Sequence, residues 1–260
     1  MLRARLAVAA IGLPLLGLLI AAPATVFAAA VTILTAAAAY ELVRAANNEW
    51  PRYVPLSAAV ATAMLVAWAR QLDDFPLWAL LGLPAIALYG LLRPGPGPRH
   101  FREAWWLGAV MYVGVLGAHW VLLRDVDDGR LWVLVLLGVT FATDTGAYAV
   151  GRLLGSHLMA PVISPGKTWE GFVGGYVAGI AAAIGIPLAL DLDPEPVVLA
   201  LSAATLPVAA VIGDLAESAL KRRIGVKDTS ALLPGHGGLL DRMDSLLFAG
   251  PCLYWILQWV

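Results

Sequence analysis

Nine apolar blocks, at 6–22, 24–40, 54–69, 76–92, 104–123, 131–150, 169–190, 197–213 and 245–260, alternate with short polar stretches along the chain. A hydrocarbon core of about 30 Å takes about 20 apolar residues per helix, and shorter runs serve where helices pair. The pattern predicts an all-α, polytopic integral membrane protein of about nine transmembrane helices forming a single membrane domain. The first 24 residues also carry the basic, apolar and small-residue regions of a cleaved leader, but a second apolar run follows at once and favours a helical hairpin. The run Arg93-Pro94-Gly95-Pro96-Gly97-Pro98-Arg99 reads as a stiff connector, because proline fixes φ and glycine relieves the bend.

Composition agrees with the pattern. The chain is 60% hydrophobic and only 13% charged, far from soluble-domain usage. Its formal net charge of -1 hides a sorted distribution. With the N-terminus in the cytoplasm, Arg44, Arg52, Arg102, Arg152, Lys167, Lys221 to Arg223, Lys227 and Arg242 fall inside, whereas Arg70, Arg124 and Arg130 fall outside beside the aspartates of the outer loops. That bias sets the orientation and turns the polar stretch near the C-terminus towards the cytoplasm. A nucleic-acid partner is not expected. The lone Cys252 lies inside the last block and reads as packing.

The polar residues gather at 214–244. On a helix, Asp214, Glu217, Ser218 and Lys221 stand at i, i+3, i+4 and i+7 and share a face. A carboxylate there is costly unless paired or bound to a cation, and hard oxygen ligands favour magnesium or calcium. An interfacial salt bridge to Lys221 would explain this face taken alone. Asp241 and Asp244, also i and i+3, bring a second carboxylate pair to the start of the last block. Between the pairs, Lys221, Arg222, Arg223 and Lys227 supply charge for several phosphates, and Gly235-His236-Gly237-Gly238 is expected to let the backbone approach a ligand closely. Metal plus phosphate is the inference. A polybasic patch on anionic lipid explains the cations but not the interleaved carboxylates.

The order Ser218-x-x-Lys221-Arg222, four residues, Lys227-Asp228, then Pro234-x-His236-Gly237-Gly238-x-x-Asp241-Arg242-x-Asp244 closely resembles the signature of the phosphatidate cytidylyltransferases, also called CDP-diacylglycerol synthases. Resemblance continues in Thr143-Asp144-Thr145-Gly146-Ala147-Tyr148 and in Ser164-Pro165-Gly166-Lys167-Thr168-Trp169-Glu170-Gly171, covering the second half well and the first half weakly. It implies an enzyme of a bacterial inner membrane that joins CTP to phosphatidate, giving CDP-diacylglycerol and pyrophosphate. It further implies magnesium, with a second cation beside it, on Asp214, Asp241, Asp244 and Asp144. Lys167, Lys221, Arg222, Lys227 and His236 would bind phosphates, Ser164 and Ser218 would orient them, and Thr168 and Arg242 would add substrate contacts. Asp214, Lys221, Lys227, His236, Asp241 and Asp244 form the catalytic set of this reading. Residues 1–130 then supply scaffold and lipid groove, and 131–260 the catalytic helices. Two alternatives stand beside it. A CTP-dependent lipid-alcohol kinase resembles the family in its cation-rich membrane site, and a transporter would spread polar residues through both halves of the bilayer.

Several upstream features need their own reading. Thr140, Asp144 and Tyr148 form a stripe at i, i+4 and i+8 that is expected to face the protein interior, either for function or as an interhelical hydrogen-bond network. Gly166-Lys167-Thr168 looks like the end of a Walker A loop, but Pro161 stands at the first glycine position and no strand is expected before it. Ser164-x-x-Lys167 echoes the penicillin-binding pair without its partner motifs. What remains is a Pro-Gly turn holding a lysine and hydroxyls at a helix N-terminus, where phosphate is favoured. Gly171, Gly175 and Gly179 mark a close helix contact, within the chain or at the seam of a homodimer. His119, inside an apolar block, reads as structural; His100 and His157 are loop residues with no telling neighbour.

Overall fold

The computed structural model describes residues 2–71, 77–92, 102–233, 235 and 237–260. The Arg93 to Arg99 connector and His236 lie outside the described residues. Ten α-helices account for nearly all of the structure: α1 Leu2–Ala21, α2 Ala24–Ala46, α3 Tyr53–Ala67, α4 Leu77–Leu92, α5 Arg102–Ala109, α6 Leu116–Asp125, α7 Gly129–Leu154, α8 Trp169–Ala189, α9 Pro196–Ile224 and α10 Leu240–Trp259. A π-helical stretch, Val110–Val115, joins α5 to α6, so that one continuous rod fills the predicted block at 104–123.

Every predicted apolar block coincides with a helix. Among the described residues five helices are long and apolar enough to cross a membrane: Ala24–Ala46, Arg102–Asp125, Gly129–Leu154, Trp169–Ala189 and Pro196–Ile224. Their outward side chains are apolar, with Ile33 68% and Val177 59% exposed. Such a surface aggregates in water and is matched in hydrocarbon. The protein is therefore an integral membrane protein. Threonines inside these helices return their hydroxyls to the preceding turn, Thr35 to Val31 O, Thr140 to Leu136 O and Thr143 to Val139 O, each at 2.8 Å, which removes their polar cost. His119 does the same, with Nδ1 2.8 Å from Val115 O in a fully buried position, in keeping with its structural reading.

The chain divides into two compact units, Met1–Asp125 with Leu220–Met243, and Val126–Ala219 with Asp244–Val260. In the first, α2 packs on α3 and α6 around Leu42, Val43, Trp105 and Leu123. In the second, α8 lies along α7 at backbone distance. A Cβ added at Gly175 would sit 2.6 Å from Thr143 O, and one at Gly179 2.4 Å from Thr143 Oγ1. The glycine stripe of α8 thus makes its close contact inside the chain, against α7.

One departure from the expected all-helical pattern is a two-stranded antiparallel hairpin, β1 Leu158–Ala160 and β2 Ser164–Thr168, between α7 and α8. A strand does therefore precede Lys167, contrary to expectation. It is three residues long and pairs antiparallel, with Leu158 opposite Thr168, so it builds no phosphate loop of the Walker kind.

Candidate functional site

The two units each hold part of the signature. Helix α9 continues eleven residues beyond the apolar block, through Lys221, Arg222 and Arg223 to Ile224, and is stopped by Gly225, whose φ of 78° permits the left-handed turn. Val226 N donates to Lys221 O at 3.0 Å and Gly225 N to Arg222 O at 3.2 Å, closing the last turn.

In the first unit the chain then folds back on Asp241, in the first turn of α10. Lys221 Nζ meets Asp241 Oδ1 at 2.8 Å, and Asp241 Oδ2 accepts from Thr229 N at 3.0 Å, Thr229 Oγ1 at 3.1 Å and Gly238 N at 2.7 Å. Both partners of the ion pair are withdrawn from solvent, with side chains 13% and 3% exposed. Burial of this kind is tolerated only when the charge is paired and its remaining lone pairs are filled, as here.

The same loop meets a carboxylate that sequence reasoning did not single out. Glu41 of α2, 7% exposed, accepts from Ser230 Oγ at 2.7 Å, from Leu240 N at 3.1 Å and, more distantly, from Thr229 Oγ1 at 3.5 Å. Its only sequence signal is an acid inside an apolar, membrane-grade helix. The two carboxylates also account for the paired glycines. A Cβ at Gly237, where φ is +79°, would lie 2.5 Å from Asp241 Oδ2, and one at Gly238 would lie 2.4 Å from Glu41 Oε2. In this structure the glycine backbone approaches the protein's own acids, where a ligand was expected.

In the second unit, Lys167 at the end of β2 places Nζ 2.6 Å from Asp214 Oδ2. Ser218, one turn on, donates to Asp214 Oδ1 at 3.3 Å. The Lys167 and Asp214 side chains are 23% and 30% exposed, so this pair is open to solvent where Lys221–Asp241 is not. Beside it, α9 and α10 touch backbone to backbone, since a Cβ at Gly213 would fall 2.5 Å from Asp244 O. Asp244 Oδ1 accepts from Ser245 N at 2.7 Å.

The hairpin holding Lys167 is fixed at its base. Glu170 accepts from Ser156 Oγ at 2.8 Å and Ser156 N at 3.1 Å, and His157 Nδ1 lies 2.5 Å from the same carboxylate. His157 thus has the neighbour that its sequence context did not reveal. Thr168, read as a substrate contact, here caps α8 by accepting from Gly171 N at 3.1 Å. Ser164 sits opposite Ala160 in the hairpin. Arg222 Nη1 donates to Val226 O at 3.3 Å, and Lys227 and Arg242 are exposed.

The expected inward stripe on α7 is corrected. Thr140 is buried, but Asp144 is exposed and Tyr148 is 67% exposed, its hydroxyl accepting from Arg152 Nη1 at 2.7 Å. The inward face is one residue earlier, at Thr143, against the α8 glycines.

Among the described residues no three acidic, histidine or cysteine side chains gather into a metal cage. Magnesium does not need one, because it keeps several waters and is bound through one or two carboxylates together with substrate phosphates. Asp214, which holds a lysine ammonium at 2.6 Å on a side chain 30% exposed, offers hard oxygens that suit that ion, whereas Asp241, whose oxygens are taken by Lys221, Thr229 and Gly238, would have to give up a protein donor to join it.

Comparison with known proteins adds family evidence. Residues 3–260 match the model of the Cytidylyltransferase family. The chain is similar to a protein of Staphylococcus haemolyticus named phosphatidate cytidylyltransferase, 43% identical over 58% of this chain and 57% of the relative. Proteins of the same name from Bacillus subtilis and Mycobacterium bovis are 43% identical over 57% of this chain and 56% of the relative, and 33% identical over 91% and 81%. The alignments to the first two span little more than half of those relatives' length.

Proposed function

Because the chain belongs to the cytidylyltransferase family, we propose that it joins CTP and phosphatidate to give CDP-diacylglycerol and pyrophosphate. The observation that carries this reading is the family match over 3–260 combined with a complete signature at 218–244. In the proposed reaction an oxygen of the phosphatidate phosphate attacks the α-phosphorus of CTP. The new P–O bond forms as the bond to the α,β-bridging oxygen breaks, and that electron pair leaves with pyrophosphate. Such a transfer needs in-line positioning and neutralisation of charge more than covalent help.

The cations are assigned to phosphate: Lys167, Lys221, Arg222, Lys227 and His236, with Arg242 as a further contact. Lys167 is the best placed of the described set, because its partner Asp214 is open to solvent and its ammonium can turn to an incoming phosphate. Ser164 and Ser218 orient the same groups. When bound, magnesium supplies neutralisation of the pyrophosphate leaving group, and Asp214, Asp241, Asp244 and Asp144 are the oxygens proposed to hold it, with a second cation nearby. We place this chemistry on the cytoplasmic face of a bacterial inner membrane, in a nine-span topology with the N-terminus inside, on the strength of the lysine and arginine bias.

Membranes given CTP labelled in the base test the reading. Label recovered in a phosphatidate-dependent, nucleotide-bearing lipid is expected. Free labelled CDP beside a newly phosphorylated lipid would assign the lipid-alcohol kinase, and uptake of substrate without nucleotide consumption would assign the transporter.

A further inference from the structure

Glu41 is placed where a membrane protein tolerates an acid only for a reason. It lies in α2, within the membrane-grade segment Ala24–Ala46, and is 7% exposed. Among the described residues, the groups that satisfy it are two hydroxyls and a backbone amide, all neutral and all drawn from the signature segment: Ser230 Oγ, Thr229 Oγ1 and Leu240 N. Leu240 is the first residue of α10, so Glu41 fills, from another helix, an N-terminal donor that α10 cannot satisfy itself, and its charge complements the helix dipole. Thr229 is shared. Its hydroxyl lies 3.1 Å from Asp241 Oδ2 and 3.5 Å from Glu41 Oε2, and its amide donates to Asp241. Gly238 passes between the same two acids, its amide on Asp241 and an added Cβ only 2.4 Å from Glu41 Oε2, so a side chain there would push Glu41 or Thr229 aside.

We propose that Glu41 is a positioning residue for the reaction: together with Asp241 it clasps Thr229, Ser230, Gly238 and Leu240 and thereby sets the position of Asp241 and its partner Lys221. The inference rests on the cytidylyltransferase reading for its activity, but the clasp itself is a claim about the loop. It gives the N-terminal helices a defined part in the chemistry that lies 188 to 199 residues further along the chain.

Glu41→Ala, Glu41→Gln and Ser230→Ala in detergent-purified protein test it with two readouts, turnover and amide exchange. Glu41→Ala is expected to lower kcat about 100-fold, the scale on which a displaced catalytic group reports, while the KM for phosphatidate stays within about twofold. Glu41→Gln, which keeps the length and one acceptor, is expected to recover about tenfold of that loss. Exchange at the Thr229 and Leu240 amides should quicken while α7 and α8 stay protected. A kcat within about twofold of wild type, or exchange that rises across α7 and α8 together with the loop, overturns the proposal. Should Glu41→Ala fail to fold, Ser230→Ala decides, with a several-fold fall in kcat and the same local quickening expected, and no change in either overturning the clasp. If the wild type makes no CDP-diacylglycerol, the functional reading fails, while the exchange data still decide the clasp.

Discussion

Lys221–Asp241 and Lys167–Asp214, the two lysine–carboxylate pairs of the signature region and its hairpin, are built differently. Lys221–Asp241 is buried, its acid filled by four protein donors on a loop pinned by Glu41. Lys167–Asp214 stands on a short hairpin and a helix face, a quarter to a third exposed, with Ser218 as its further neighbour. The first pair is held in place by its surroundings and is costly to break. The second has the environment of a contact that can be exchanged for substrate, because water screens the separated charges and little else must move. Both patterns consist of one lysine and one aspartate, so residue identity does not separate them; burial and donor count do.

The largest expected effect separates chemistry from stability. Lys167→Ala and Asp214→Asn should each lower kcat by about 10²–10³-fold with thermal unfolding in detergent nearly unchanged, as measured by turnover and by a fluorescence melt. Asp241→Asn should break the comparison in the opposite way. It removes the charge that Lys221 Nζ meets at 2.8 Å in a buried setting, and about 3–5 kcal/mol of stability is expected to go with the activity, visible as a lowered melting temperature. If the two aspartate variants lost stability equally, the distinction between the pairs would be wrong.

Gly238→Ala tests the loop that supports the buried pair. Its Cβ would fall 2.4 Å from Glu41 Oε2 and 2.5 Å from Thr229 Oγ1, so overpacking of about 1–3 kcal/mol is expected, together with reduced turnover. The smallest effect is predicted on the exposed side. Thr168→Ala removes the N-cap of α8 next to Lys167, costing about 1 kcal/mol and altering kcat by only a few-fold; a total loss of turnover with the fold intact would instead make Thr168 a direct substrate contact.

Most of the helices were legible in the hydropathy pattern, because a chain that must satisfy its backbone in lipid has few alternatives to helix. The signature was equally legible, being local in sequence. What escaped has physical causes. The hairpin is too short for a periodic signal, and Pro165 and Gly166 within β2 speak against a strand, although a two-stranded ribbon accommodates both at its edge. Of the stripe expected to face inward on α7, Thr140 is buried but Asp144 and Tyr148 are exposed, because the α8 glycines, and not polarity, decide which face is buried there. Glu41 escaped because its meaning depends on partners almost 200 residues away, Leu240 among them at a separation of 199. The role expected of the glycines near His236 changed for the same reason: the residues they must approach belong to α2 and α10.

The most direct test of the central claim is phosphorus NMR of the purified protein in mixed micelles holding phosphatidate, CTP and magnesium. The phosphatidate monoester resonance is expected to disappear as a lipid-borne diphosphate diester and inorganic pyrophosphate rise in equal amounts. Persistence of the monoester while CTP is converted to free CDP would contradict that claim.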